Sequence, residues 1–322
     1  MAETEKGIKL DVLFNQLPEL GASDLHLKAG NPPIYRIGGE LHRAKMEPLT
    51  GKQIYSLVEE WLGHDRMTEL YQKGSLDLGH TFAKGRVRVN LFLQRGELSL
   101  AARLVTDKIP SLEDLHLPAS LARLTDEMQG LVLVCGITGS GKSTTLASLL
   151  HMINRKRRCH ILTIEDPIEY LHHDARSIVN QRELGLDCHS WPDALRAAVR
   201  EDPDVILVGE MRDPETFQAG LTAAETGHLV FGTLHTNYAP ATIDRVIDKF
   251  PADRQNQIRS LLGDSLQGVV AQTLCKRIGG GRIAAFEVLV INVPIAAHIR
   301  EGKTYLIPSV MQTSRGLGMQ TF

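Results

Sequence analysis

The sequence predicts an α/β chain in two parts: a small α+β domain, then a larger domain built on a parallel sheet. Three observations carry this. Residues 131–148 read LVLVCGITGSGKSTTLAS, an apolar strand that runs into GxxxxGKS and then into a helical pattern. From residue 131 onward, short apolar runs alternate with helical ones, which argues a parallel sheet covered by helices on both faces. Residues 1–105 instead mix amphipathic helices with short strands of period two, and 322 residues suit two domains.

Composition sets the outer limits. Hydrophobic residues at 43% and charged residues at 23% are ordinary for a globular chain. A formal net charge of −2 gives no basic field to hold nucleic acid, so none is expected as a partner. The opening MAETEKGIKLD lacks the apolar core of a signal peptide, and no apolar run approaches membrane-spanning length. The expectation is a cytoplasmic protein without membrane insertion. Cys135, Cys159, Cys188 and Cys275 are far apart and form no CxxC pair, which suits a reducing compartment and no structural zinc.

In the first part, Leu10, Leu13, Phe14 and Leu17 repeat at helical spacing, and residues 18–21, beginning with Pro18, should end that helix. Residues 23–27 and 33–37 read as strands, with a Gly38-Gly39 turn after the second. Ile54, Leu57, Val58, Trp61 and Leu62 make a second helical face that Gly63 stops. Residues 86–105 form a hairpin centred on Arg95-Gly96, whose cross-strand pairs each sum to 191, so Arg88 faces Arg103. Like charges directly opposite on a sheet are destabilising. An anion between the two arginines removes that cost, and so does splaying both into solvent.

Residues 106–110 read as a linker and 111–129 as a connecting helical segment. Strands are predicted at 131–135, 160–164, 204–208 and 229–233. Ser190 is placed to cap a helix running through Arg200, and Asp213-Pro214 to start one that Gly227 closes. Ile258, Leu261, Leu262, Leu266, Val269 and Val270 keep helical spacing and predict one long helix.

The glycines of the 136–141 loop let the backbone curl so that N–H groups turn toward phosphate oxygens. Gly136, Thr138, Gly139, Ser140, Gly141, Lys142, Ser143 and Thr144 are the candidate nucleotide-binding residues. Lys142 can reach the β- and γ-phosphates, and Ser143 can ligate Mg²⁺. In open α/β sheets ligands sit beyond the carboxyl ends of the strands, where Glu165, Glu210 and His235 each follow a strand. A carboxylate there can serve the metal and the attacking water of phosphoryl transfer.

GITGSGKSTT, ILTIEDPIEYLHH, DPDVILVGEMRDPET and AAETGHLVFGTLHTN occur in the order and spacing of the secretion-ATPase superfamily. They resemble its Walker A, Asp-box, Walker B and His-box blocks. SDLHLKAGNPPIYRIGGEL, RVRVNLFLQRG and the closing GMQTF resemble more specifically the type IV pilus retraction (twitching motility) ATPases.

The resemblance implies a PAS-like N-terminal domain over residues 1–105, a linker and connecting helix over 106–130, and a RecA-like P-loop ATPase domain over 131–322. It also implies ATP and Mg²⁺ as ligands, a homo-hexameric ring, and a cytoplasmic motor acting at the inner membrane on a pilus platform protein. By the same resemblance Glu165 is the catalytic Asp-box glutamate, Glu210 the Walker B glutamate and Mg²⁺ partner, and His228 the γ-phosphate sensor. Arg88 and Arg103 match arginines that reach a neighbouring nucleotide site. Residues 294–301, PIAAHIRE, share only the Ile-Arg-Glu ending of the retraction ATPases' AIRNLIRE block, and the chain stops at Phe322 where that family adds helices. An accessory retraction paralogue and another secretion ATPase therefore stay open beside the retraction motor. A RecA-like nucleic-acid motor is the rival of another class, disfavoured by the net charge of −2.

Overall fold

A computed structural model describes residues 8–278 and 280–322. The signal-peptide reading of the N-terminus rests mainly on residues 1–7, which lie outside the described residues. The chain divides into two compact units, one of Met1–Asp107 with Pro167–Leu171, the other of Lys108–Asp166 with His172–Phe322.

The first unit opens with α1 (Leu10–Glu19), which buries Leu10, Leu13, Phe14 and Leu17 and holds Pro18 in its last turn. Strands β1 (Ala22–Leu27), β2 (Ile34–Ile37) and β3 (Glu40–Arg43) follow. Gly38 and Gly39, at φ +58° and +92°, make the tight turn between β2 and β3. Thr50 and Gln53 form a capping box for α2 (Gly51–Leu62). Then come α3 (His64–Lys73) and β4 (Ser75–Phe82), neither evident from the sequence, and the hairpin β5 (Gly85–Gln94) and β6 (Glu97–Val105). The six antiparallel strands run in the order β3-β2-β1-β6-β5-β4. The hairpin keeps its expected register from Arg86↔Val105 to Gln94↔Glu97, with Arg88 opposite Arg103. Phe14, Leu17, Ile54, Val58 and Leu70 from the helices share one core with Val87, Val89 and Leu91 of β5. Residues 167–171, expected in the second domain, join this unit because the Leu171 N–H donates to the Thr106 carbonyl at 3.1 Å beside a Thr106–Tyr170 bridge.

In the second unit, residues 111–129 hold only the short helix α4 (Ala119–Leu124), not a continuous one. Pro118 blocks helix from entering earlier, and His116 at φ +53° breaks the backbone before it. The remaining elements are β7 (Gly130–Cys135), α5 (Lys142–Lys156), β8 (His160–Glu165), β9 (Ile178–Glu183), α6 (Trp191–Ala198), β10 (Val205–Val208), α7 (Pro214–Glu225), β11 (Leu229–Leu234), α8 (Ala239–Ile247), α9 (Ala252–Ser265), β12 (Leu266–Lys276), β13 (Arg282–Val290), α10 (Val293–Arg300) and α11 (Ile307–Thr313), with short 3-10 turns at Thr304–Leu306 and Arg315–Leu317. The sheet order is β13-β12-β7-β11-β10-β8-β9, parallel throughout except for the β12–β13 pair.

Along β7, Leu131, Leu133 and Cys135 enter one core while Val132 and Val134 enter another, so helices cover both faces of the sheet. Ser190 accepts from the Asp193 N–H at 3.2 Å and Asp213 from the Thr216 N–H at 2.8 Å, capping α6 and α7; α6 ends at Ala198 rather than Arg200. The predicted long helix is instead a helix and a strand. Ile258, Leu261 and Leu262 lie on α9, but Leu266, Val269 and Val270 lie on β12. Val269 and Val270 are adjacent and both fully buried, in opposite cores, which a two-sided strand permits.

Candidate active site

β7 delivers the chain into the 136–141 loop, and α5 leaves it at Lys142. Gly136 and Gly141 are needed for space as well as for positive φ. A Cβ on Gly136 would lie 2.3 Å from the Gln272 carbonyl, and one on Gly141 2.8 Å from the Gln272 amide nitrogen. Gly139 has open space around it, so its φ of +78° alone calls for glycine. Thr138 and Gly139 are exposed at the loop's crest, Ser140 is buried, and Ser143 and Thr144 are half-buried at the start of α5. No side chain caps that helix, so its first N–H groups face the loop. Lys142 Nζ donates to the carbonyls of Gly136 at 2.7 Å and Ile137 at 3.1 Å, which keeps an ammonium in the mouth of the loop.

The register of the parallel strands decides what stands beside this loop. Cys135 pairs with Leu234, Val208 with Gly232, and Ile164 with Val208. Gly136, Glu165, Glu210 and His235 therefore emerge at one edge of the sheet. Gly209 lets the ends of β8 and β10 close up, for a Cβ there would lie 3.2 Å from the Ile164 carbonyl and 3.3 Å from the Glu165 Cα. Glu165 Oε1 accepts from Thr163 Oγ1 at 2.7 Å and from Gln181 Nε2 at 3.0 Å. Gln181 in turn accepts the His172 N–H at 2.8 Å, which fixes the sense of its amide.

Glu210 is braced from two sides. Arg212 Nη2 donates to Oε2 at 2.6 Å while Arg212 Nε and His235 Nε2, the latter at 2.9 Å, address Oε1. Burial works to raise the Glu210 carboxyl, but the Arg212 hydrogen bond and the charges of His235 and Arg212 outweigh it and hold the group below its usual value.

His228 is not part of this cluster. It precedes β11 at the opposite edge of the sheet, where its carbonyl accepts the Gly130 N–H at 3.0 Å and its ring Nδ1 meets the Ala223 carbonyl at 2.9 Å. The length of β11, about 20 Å for six residues, separates it from the edge that carries the loop. The histidine at the loop's edge is His235.

In the first unit, Arg103 and Arg88 face each other across the hairpin, and each lies beside a carboxylate. Arg103 Nε donates to Asp24 Oδ1 at 2.7 Å and Arg88 Nε lies 3.8 Å from Asp77 Oδ1. Each charge thus has its own carboxylate. Asp24, 6% exposed, is the register partner of Arg103 across β1 and β6, while the Arg103 side chain remains 73% exposed.

Beside the loop, a cavity of about 330 Å³ is lined by His116, Gly141, Thr144, Leu274, Arg277 and Arg282. A larger cavity of about 850 Å³, between α6 and α7, includes no residue of the 136–141 loop. Gln181 and Gln272 escaped sequence reading because their partners are set by strand register and lie apart in the chain, whereas Arg212 meets Glu210 only two residues away and no spacing pattern singles it out.

Residues 100–304 match the sequence family described as type II/IV secretion system protein. The type IV pilus retractation ATPase PilT of Pseudomonas aeruginosa is 48% identical over 302 residues, covering 94% of this chain and 88% of the relative. The chain belongs to this family. The twitching motility protein of Neisseria gonorrhoeae is 44% identical over 293 residues, covering 90% of this chain and 78% of the relative. A crystal structure of the pilus retraction motor PilT with bound ADP superposes with a TM-score of 0.86 at 47% identity, covering 95% of this chain and 90% of that one.

For this secretion-family ATPase, the fit of Mg²⁺ can be tested on the donors present. Ser143 stands half-buried in the first turn of α5, where a hydroxyl suits the ion. Both Glu210 carboxylate oxygens are engaged by Arg212 and His235, so a metal at Glu210 would share them with those donors. Among the described residues no group of three or more His, Cys, Asp or Glu side chains is placed to hold a metal. Mg²⁺ arriving with a nucleotide needs few protein ligands, since phosphate oxygens and water supply the rest.

Proposed function

We propose that this chain is the ATP-driven motor of type IV pilus retraction, working as a cytoplasmic homo-hexamer against a platform protein at the inner membrane. One conjunction supports the reading. A phosphate loop with its lysine in place shares a sheet edge with Glu165, Glu210 and His235, in a chain alike to retraction ATPases over nearly its whole length. The net charge of −2 and the absence, among the described residues, of any helix long and apolar enough to cross a membrane suit this reading better than a nucleic-acid motor or a membrane-inserted protein.

In this mechanism Lys142 leaves the Gly136 and Ile137 carbonyls for the β- and γ-phosphates of ATP. Backbone N–H groups of residues 136–144 take the phosphate oxygens, with Thr138 and Ser140 in the loop and Thr144 at its exit. Ser143 would hold Mg²⁺, which would supply charge neutralisation on the phosphates. The nucleoside occupies the cavity of about 330 Å³. Glu165, oriented by Thr163 and Gln181, accepts a proton from the attacking water. Glu210 orients His235 toward the γ-phosphate, and Arg88 and Arg103 of an adjacent subunit neutralise charge on the leaving group. The test is complementation: the wild-type gene should restore twitching to a Pseudomonas aeruginosa strain lacking its retraction ATPase, and Lys142→Ala should not. Native mass measurement of a stable monomer with ATP bound would remove the hexamer.

A further inference from the structure

The phosphate loop is gripped from the neighbouring strand by a side chain that the sequence does not advertise. β12 runs parallel to β7 with Ala271 level with Cys135, so Gln272 comes alongside Gly136. Gln272 is 4% exposed. Its amide is used at both ends: Nε2 donates to the Ser140 carbonyl at 2.7 Å, and Oε1 accepts from Thr145 Oγ1 at 2.8 Å. A carbonyl can only accept, which fixes the amide's orientation. The clearances of 2.3 Å at Gly136 and 2.8 Å at Gly141 are both measured against Gln272 as well. One residue therefore touches the loop's entrance, its last turn and the first turn of α5.

The direction of the Ser140 bond matters. In a trans peptide the C=O and the following N–H point opposite ways. Drawing the Ser140 carbonyl toward Gln272 therefore turns the Gly141 N–H away from β12. That orientation leaves the N–H free for an anion instead of spending it on the neighbouring strand. The same strand carries Leu274 into the cavity beside the loop, and Arg277, the first residue beyond the strand, lines it too.

We infer that Gln272 is the positioning residue of the phosphate loop, holding it in its receiving shape before nucleotide arrives. This rests on the reading of the loop as the ATP site. A residue that pre-forms the loop sets affinity for ATP more than the rate of hydrolysis once ATP is bound.

The experiment uses the full chain and MgATP, with calorimetric Kd and steady-state kcat measured side by side. Gln272→Leu keeps bulk and removes both bonds. Gln272→Glu keeps an acceptor for Thr145 but sets a carboxylate against the Ser140 carbonyl. Thr145→Val removes one bond and spares the other, and serves if the Gln272 variants fold poorly. Affinity should weaken by about tenfold or more in both Gln272 variants and by a few-fold in Thr145→Val, with kcat at saturating ATP within about threefold of wild type. Unchanged Kd in folded Gln272 variants, or a fall in kcat at unchanged Kd, overturns the assignment. A wild-type chain that binds no ATP overturns instead the site reading beneath it.

Discussion

His235 Nε2 lies 2.9 Å from Glu210 Oε1, joining the chain just beyond the ends of β10 and β11, two residues past Val208 and one past Leu234. The contact exists because the two strands are parallel, with Val208 level with Gly232, so their carboxyl ends arrive together. Arg212 closes the other side of the same carboxylate. Glu210 is thereby an anion held between two donors, its charge preserved against half-burial. This geometry ties Glu210 to both Arg212 and His235 at the ends of the two strands.

Glu210→Gln keeps size but loses the charge that both neighbours address. ATP should still bind, because Lys142 and the loop are untouched. Turnover should fall by about 10²-fold or more, the scale of a lost acid–base group. Nucleotide binding together with single-turnover hydrolysis measures both. Hydrolysis within about twofold of wild type would leave Glu165 as the carboxylate that matters.

The two histidines separate cleanly. His235→Ala should lower kcat by about 10-fold or more, since it removes the ring that Glu210 orients at the loop's edge. His228→Ala should stay within about threefold, because its ring contacts the Ala223 carbonyl at the far edge of the sheet. The reverse ranking in steady-state assays would restore the His-box resemblance over the strand geometry.

Local signals carried much of this fold. Alternation along residues 86–105 and the Arg95-Gly96 turn, at φ +53° and +78°, sufficed for the hairpin register. Ser190 and Asp213 marked helix starts because a cap needs only the next three residues. The failures share a cause. Leu262 and Leu266 are four apart, so helical spacing runs on by chance through the α9–β12 junction. The strand beyond it is specified by β7 and β13, remote in sequence. β9, IVNQRE, is a polar edge strand with little apolar pattern to read. At the site, the strand-end rule pointed to His235 while the motif likeness pointed to His228. Only the register of β11 on β7 discriminates between them.

His172 offers a test of stability against pH. Burial, with the charges of His151 and His173, pushes its pKa down to about 4, and its Nδ1 is buried without a partner among the described residues. The unfolded chain protonates this ring below about 6.5 while the folded chain stays neutral. Stability from this group is therefore full above pH ~6.5 and is lost as pH falls toward about 4, by roughly 3 kcal/mol in all. His172→Leu should flatten that limb: its melting temperature should drop less than that of wild type between pH 7 and 4.5. Equal slopes for the two proteins would place the acid sensitivity elsewhere.

Arg103 tests the ring itself, not merely the pocket. Asp24 holds its Nε at 2.7 Å, yet the side chain is 73% exposed, so the guanidinium is aimed but not covered. Burial works to raise the Asp24 carboxyl, but hydrogen bonds from Ser23 and Arg103, with the Arg103 charge, keep it below its usual value and so ionised beside the arginine. The proposed partner is the nucleotide of an adjacent subunit, where an arginine supplied in trans can be worth about 10³–10⁵ in rate, less if Arg88 shares the task. Arg103→Ala and Arg88→Ala should each lower turnover while ATP affinity changes little. The decisive measurement mixes subunits. A Lys142→Ala chain has a disabled pocket but intact arginines, and an Arg103→Ala chain has the reverse. Interfaces that pair an intact pocket with an intact donor exist only in mixed rings, so activity should rise above the sum of the two variants assayed alone. No rescue, in rings shown by mass to be mixed, would mean that the arginines act within their own chain or serve only the β5–β6 hairpin.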